Sequence, residues 1–135
     1  MKEIFEILTY DHTKVGEGTP TGVIDISTDY PDFTPVAAVL TPDRPQGLYE
    51  VSFSLTWNLA TVKKSGIARW SEDGGNTWYE IQSEPKDKTN DNTSFYGYPF
   101  EHTGGPIDIQ VEITREAGTS DMQVRFCDII IQRVQ

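Results

Sequence analysis

Two segments of the chain alternate strictly between apolar and polar side chains, as a β-strand with one buried face does. In residues 48–59 the apolar positions are Tyr49, Val51, Phe53, Leu55, Trp57 and Leu59. In residues 106–115 they are Ile107, Ile109, Val111 and Ile113. A period of two places each set on one face of a sheet, with the polar residues on the wet face. We therefore predict two antiparallel strands that supply these residues to a core.

Shorter apolar segments fill much of the remaining chain, and Gly, Pro, Asn and Asp clusters separate them. They lie at residues 3–10, 22–27, 36–40, 66–71, 77–82, 95–101 and 121–134. The prolines that flank residues 36–40 are expected to bound that strand. No stretch repeats apolar residues every three and four positions, so we predict no long helix. The pattern predicts an all-β fold in which residues 1–135 form a single antiparallel β-sandwich, jelly-roll-like in topology.

Both terminal segments are apolar on both phases of the alternation. In residues 121–134, Met122, Val124 and Phe126 hold one phase, while Cys127, Ile129 and Ile131 hold the other. Near the amino terminus, Ile4 and Leu8 fall on one side and Phe5 and Ile7 on the other. A strand that is dry on both faces must be covered twice. We assign one face to a partner interface, formed by Phe5, Ile7, Ile129 and Ile131.

The charge of the chain limits its partners. Lys and Arg total 11 and Asp and Glu total 21, for a formal net charge of -10. Nucleic acids and anionic membranes need a basic surface, so neither is expected as a partner. The first residues lack the apolar core of a signal peptide, so we expect synthesis in the cytoplasm. The single cysteine, Cys127, lies in an apolar segment and is expected to be a buried, reduced thiol.

Residues 71–78 read Ser-Glu-Asp-Gly-Gly-Asn-Thr-Trp. This segment resembles the Asp-box, S-x-D-x-G-x-T-W, which repeats in sialidase propellers and occurs singly in other β proteins. The resemblance implies a stabilised hairpin away from any catalytic residue. Asp can accept hydrogen bonds from the turn backbone, and Gly supplies angles that other residues resist. We predict a structural hairpin formed by Ser71, Asp73, Gly75, Thr77 and Trp78.

Candidates for chemistry are few. Acidic residues cluster in two places, with Asp25, Asp29 and Asp32 in one and Asp87 and Asp91 in the other. Calcium prefers such oxygen ligands, but no EF-hand spacing organises them, so solvated loops are expected. His12 and His102 are too few for a zinc site. Nothing selects a pair of carboxylates for glycoside hydrolysis. We assign no catalytic residue, metal or cofactor, and expect no enzyme activity.

Aromatic residues suggest a second type of binding. Tyr96 and Tyr98 share one phase of their segment and Phe95 holds the other. We predict that the two tyrosines are the exposed pair, able to stack on a sugar. A carbohydrate-binding β-sandwich module is therefore the alternative function, with a glycan as its ligand, and a small glycosidase ranks third.

The acidic β-rich chain and its carboxyl-terminal segment, HTGGPIDIQVEITREAG followed by MQVRFCDIIIQRV, resemble small β-sandwich virion proteins of tailed bacteriophages. These include capsid decoration proteins and tail accessory proteins. The resemblance implies a non-enzymatic structural or assembly protein located in the virion. Its partners would be further copies of itself or another virion protein. No site residue carries over from this resemblance.

Overall fold

A computed structural model describes residues 23–59, 64–83, 92–118 and 121–134 of the chain. The regular secondary structure in these ranges consists of β-strands. The described residues contain no helix long and apolar enough to span a membrane. The strands are β1 (Ile24–Ile26), β2 (Thr34–Arg44), β3 (Gly47–Leu59), β4 (Gly66–Ser71), β5 (Tyr79–Ser83), β6 (Asn92–His102), β7 (Gly105–Arg115) and β8 (Met122–Arg133). The predicted strand at residues 3–10, with Phe5 and Ile7, lies outside the described residues.

The strands form two antiparallel sheets that pack into a sandwich. The first, here called sheet A, has the strand order β1-β8-β3-β6, and the second, sheet B, has the order β2-β7-β4-β5. Neighbouring strands in a sheet are mostly distant in sequence, because the chain crosses repeatedly between the two sheets. The predicted all-β, jelly-roll-like sandwich is confirmed.

The inward faces of β3 and β7 supply the centre of the core. Alternate side chains of both strands are almost completely buried: Tyr49, Val51, Phe53, Leu55, Trp57, Leu59, Ile107, Ile109, Val111 and Ile113. These are the core residues that the alternation predicts. The core packs closely around Trp57, where a Cβ at Gly66 would lie 3.2 Å from its ring and 3.0 Å from the Met122 Cε. Gly66 therefore lets β4 approach sheet A closely, because the side chain of a larger residue would crowd Trp57 and Met122.

Strand β2 extends further than the sequence predicts. It includes Pro35 and Pro42, which were expected to bound it. Proline lacks the N–H that a central strand must donate, but β2 is an outer strand of sheet B among the described strands. The pairing with β7 shifts register between Pro35 and Ala37 and again between Leu40 and Asp43. The sheet thus accommodates each proline at a local irregularity instead of ending there.

A register shift in β8 overturns the predicted interface at Ile129 and Ile131. On β3, Trp57 pairs with Val124 but Thr56 pairs with Phe126, so one extra residue of β8 bulges at this point. A bulge of one residue exchanges the two faces of the strand beyond it. Ile129 and Ile131 consequently point into the core and are 1% and 4% exposed. The two apolar phases in the sequence of β8 arise mainly because the inward positions change phase at the bulge.

The exposed pair predicted on β6 is also wrong. Tyr98 pairs with Val51 and Tyr96 with Phe53, and residues that pair across strands share a face. Both tyrosines therefore face inward with their buried partners. The Tyr96 ring lies 5.0 Å from that of Phe53, and the Tyr98 ring stacks on Trp70 at 5.1 Å between centroids. The outward phase of β6 instead presents Phe95.

Two adjacent isoleucines on β8 test this assignment of faces. We expect Ile129→Asp to destabilise the fold by more than about 3 kcal/mol, because a carboxylate would be buried without a partner. Ile130→Asp places the same group on the outward face and should cost less than about 1 kcal/mol. Urea unfolding at neutral pH measures both free energies. A larger cost for Ile130→Asp than for Ile129→Asp would show that β8 is assigned in the wrong phase, and equal costs would contradict the separation of the two faces.

Candidate binding face

The outward surface of β3, β6 and β8 is here called the sheet A face. Its middle strand, β3, presents the small hydroxyl side chains of Ser52, Ser54 and Thr56 between its buried residues. On a pleated sheet, neighbouring strands lie about 4.8 Å apart, so longer side chains on the flanking strands rise above this row. The sequence of β3 therefore creates a low strip along the centre of the sheet A face.

Strand β6 forms one wall of this strip. Phe95 pairs with Ser54, and its side chain is 78% exposed. Gly97, the next outward residue, pairs with Ser52 and adds no side chain. The wall therefore consists of a large aromatic ring beside an open space. Phe95 cannot be identified as the outward residue from the sequence, because both phases of β6 carry aromatic residues and only the register with β3 separates them.

Strand β8 forms the opposite wall. Beyond the bulge, Phe126, Asp128 and Ile130 face outward and pair with Thr56, Ser54 and Ser52. Phe126 is 45% exposed, while Ile130 is half-buried. The bulge that turns Ile129 into the core thus turns Ile130 and Phe126 to the surface.

Between the walls lies an open groove with a volume of about 490 Å³. Ligand sites typically measure roughly 300–1,000 Å³ and combine apolar walls with a few polar groups. The outward side chains lining the groove are Ser52, Ser54, Phe95, Asp128 and Ile130, with Gly97 leaving part of the floor bare. Such a groove can accept an apolar or amphipathic group, and its hydroxyls can hydrogen-bond to it.

Part of the outward surface of sheet B is covered by the chain itself, around Arg69, although Leu40 on β2 remains 51% exposed. The Arg69 guanidinium lies between the rings of Phe33 and Trp78, 4.1 and 4.0 Å from their centroids. It also donates to Glu112 Oε1 from Nη2 at 2.6 Å and from Nε at 2.9 Å. Cation–π contacts, together with two charged hydrogen bonds to one carboxylate oxygen, fix a side chain. Trp78 of the predicted hairpin therefore covers a charged group here rather than a purely apolar corner.

The turn between β4 and β5 is organised around Asp73. Its Oδ1 accepts hydrogen bonds from the backbone N–H groups of Asn76 at 3.0 Å and Thr77 at 2.8 Å. Ser71 Oγ donates to the same oxygen at 2.7 Å and accepts from the Gly75 N–H at 2.9 Å. Gly75 has a φ of 97°, a conformation that glycine adopts without strain. The residues of the sequence motif thus form one hydrogen-bonded turn.

The same contacts set the ionisation of Asp73. Hydrogen bonds from Ser71 and then from the Thr77 backbone lower the pKa of this carboxyl from 3.8 to about 2. A carboxylate that accepts several hydrogen bonds is stabilised in its charged form. Asp73 is therefore a structural anion of the turn at neutral pH and is poorly suited to proton transfer there.

The two other candidate residues, Cys127 and His102, have contacts within the fold. Cys127 is fully buried, and desolvation, followed by the charge of Asp128, raises the pKa of its thiol to about 12. The expected burial of Cys127 is confirmed. His102 Nε2 lies 2.8 Å from the Gly105 carbonyl oxygen.

The predicted acidic clusters do not form a metal centre in the described ranges, where no group of three or more His, Cys, Asp or Glu side chains could hold an ion. Asp29 accepts a hydrogen bond from Arg115 Nε at 2.7 Å, and Asp25 accepts one from Gln123 Nε2 at 2.9 Å. Asp87, Asp91 and His12 lie outside the described residues.

Comparison with known proteins gives likeness of fold only. No family model and no curated protein matches the sequence. Among solved structures, the infectious bursal virus protein that forms T=1 particles matches with a TM-score of 0.62 and 10% identity, over 87% of this chain and 30% of that chain. The Eiger TNF of S. frugiperda matches at 0.51 and 12% identity, over 87% and 88% of the two chains.

A carbohydrate-binding module of the Cellvibrio mixtus lichenase 5A, in complex with cellotriose, matches at a TM-score of 0.47 and 14% identity, over 93% of this chain and 98% of that chain. This likeness is too low to carry an argument about ligands. The chain therefore has a β-sandwich fold that is also found in a viral capsid protein, of which it spans less than a third.

The Asp73 turn makes a pH-dependent contribution to stability. We expect Asp73→Ala to lower the free energy of unfolding at pH 7 by about 1 kcal/mol, a modest cost because the carboxylate is exposed. The folded pKa lies below the unfolded one, so this contribution is present above pH 3.8 and is lost as the pH falls toward 2. Urea titrations of wild type and variant at pH 7 and pH 2 measure the difference. Asp25→Ala is the control, and a difference for Asp73→Ala that stays constant with pH would contradict this role.

Proposed function

We propose that this protein is a non-enzymatic structural or assembly protein, a bacteriophage virion component of the capsid decoration or tail accessory type. It associates with further copies of itself or with another virion protein through the sheet A face. The β-sandwich fold shared with a viral capsid protein supports the structural class at the level of fold. The acidic composition and the resemblance of the carboxyl-terminal segment to small virion proteins of tailed bacteriophages support the bacteriophage assignment.

The observation that carries the proposal is the clustering of exposed apolar side chains on one face. Phe95 and Ile130 line the groove from opposite walls, with Phe95 78% exposed, and Phe126 lies further along β8 on the same face, 45% exposed. Single exposed apolar residues are ordinary, but several that share one face are typical of an interaction surface. The sheet A face thus replaces Ile129 and Ile131 as the site of contact.

The absence of enzyme activity is part of this proposal. Three groups among the described residues that could serve as nucleophile or base have other roles in the fold. The Cys127 thiol is buried and neutral, since its pKa is raised to about 12. Asp73 holds a turn, and the His102 ring contacts a backbone carbonyl. None of the three lines the groove on the sheet A face.

A glycan is the second candidate ligand, because the groove combines aromatic and polar groups. The Phe95 ring stands beside the hydroxyls of Ser52 and Ser54, with the Asp128 carboxylate opposite. A sugar offers an apolar ring face and hydroxyl groups that match such a set. The formal charge of -10 favours a neutral sugar over an anionic one.

Binding to virus particles tests the proposed function. We expect recombinant protein to bind purified particles of the source phage from which this chain has been removed. Phe126→Ser should weaken that binding about tenfold, because it truncates an exposed aromatic contact. Leu40→Ser is the matched control, since Leu40 is 51% exposed on sheet B. Co-sedimentation followed by quantitative mass spectrometry gives the bound amount.

Two results would contradict the virion assignment or favour the glycan. Failure of the wild type to bind any particle, together with its absence from native virions, would contradict the virion assignment. Specific binding to neutral sugars on a glycan array, lost in Phe95→Ala, would instead favour the second candidate.

A further inference from the structure

Gly97 occupies a position in β6 where the fold itself does not require glycine. Its φ is not positive, and the pairing of β3 with β6 runs past it without a register shift. A Cβ added at Gly97 would meet only Ser52 Oγ, at an ordinary 3.8 Å. Glycine weakens a strand and often marks a bulge or a point where another molecule approaches closely. No bulge is present here, so the open space above Gly97 is available for close approach from outside the chain.

A side chain suited to this space stands next to it on the same face. Phe95 precedes Gly97 by two residues, so the two outward positions lie roughly 7 Å apart along the strand. The ring of Phe95 is 78% exposed, and both residues line the same groove. The sheet A face therefore carries a projecting ring and a matching recess side by side.

We propose that two copies of this chain pack with their sheet A faces together, each Phe95 ring inserted over the partner's Gly97. This inference rests on the proposed assembly function and names its partner as a second copy. A two-fold axis in the plane of contact, crossing the strands between Phe95 and Gly97, exchanges the two positions. Such a contact is isologous, because the same patch serves both copies.

The middle strand permits this approach. The same axis places Ser54 of β3 opposite the partner's Ser52, so two rows of small side chains meet at the centre. Small residues at the centre let the sheets come together while the flanking Phe95 rings fill the remaining space. A single ring inserted into a recess is the type of contact on which interface affinity depends.

The size of the face and the net charge of the chain indicate a weak dimer. Strand β3 has 13 residues, and three strands about 4.8 Å apart with a rise near 3.3 Å per residue give a footprint of roughly 600 Å². Stable interfaces bury about 800 Å² per partner. Each copy also carries a formal charge of -10. We expect a dissociation constant in the micromolar range and stronger association in added salt, which screens the repulsion.

The reciprocal contact permits a complementation experiment. Phe95→Ala removes the ring but keeps the recess, while Gly97→Gln fills the recess but keeps the ring. The space above Gly97 lets the second variant fold normally. Each variant alone should dimerise at least about tenfold more weakly than wild type. An equimolar mixture should form a heterodimer of intermediate affinity, because one of its two ring-in-recess contacts is intact.

Sedimentation velocity across a concentration series measures these affinities, with Leu40→Ala on sheet B as a control that dimerises like wild type. Retained dimerisation of Phe95→Ala, or a mixture no stronger than its separate components, would overturn the proposal. A wild type that stays at 15.2 kDa at all concentrations yet binds virus particles would overturn the dimer but leave the proposed function standing. Binding of a neutral sugar by a monomeric wild type, lost in Gly97→Gln, would assign the recess to a glycan and likewise overturn the dimer.

Discussion

The pairing of β3 with β8 through one bulge determines which apolar side chains of β8 are buried and which are exposed. On one side of the bulge Val124 faces inward beside Trp57, and on the other side Ile129 faces inward beside Phe53. Without the extra residue, Asp128 would turn into the core and Ile129 to the surface. One extra residue in β8 therefore keeps a carboxylate out of the interior and places Phe126 and Ile130 on the sheet A face.

The two faces of β3 have separate roles. Inward, large side chains from Tyr49 to Trp57 fill the centre of the sandwich. Outward, small hydroxyl groups form the floor of the groove. Because β3 pairs along its length with both β6 and β8, this floor is part of the best-supported strand of sheet A. A binding surface built on a central strand needs little reorganisation when a partner arrives, which lowers the cost of association.

The sequence predicts the fold where the physical signal is local. Strict alternation identifies β3 and β7 because one face of each is apolar and the other polar along its whole length. The same reasoning fails on β8, since the change of apolar phase between Val124 and Cys127 can also be interpreted as a strand with two apolar faces, and only the pairing with β3 identifies it as a bulge. It fails again on β6, where Phe95 and Tyr96 are both aromatic and only the register with Phe53 distinguishes them. The candidate site lies on these two strands, and for that reason sequence analysis placed the partner surface on Ile129 and Ile131.

The two outward surfaces of the sandwich differ in what covers them. On sheet B, Phe33 and Trp78 enclose Arg69, which also binds Glu112. On the sheet A face, Phe95 remains exposed at the groove and Phe126 remains exposed further along β8. This asymmetry is the basis for assigning association to sheet A. Backbone amide NMR spectra recorded over a range of protein concentrations test it most directly. The account predicts concentration-dependent shifts at Ser52, Phe95 and Gly97 with none around Arg69, whereas shifts centred on sheet B, or none at any concentration, would contradict it.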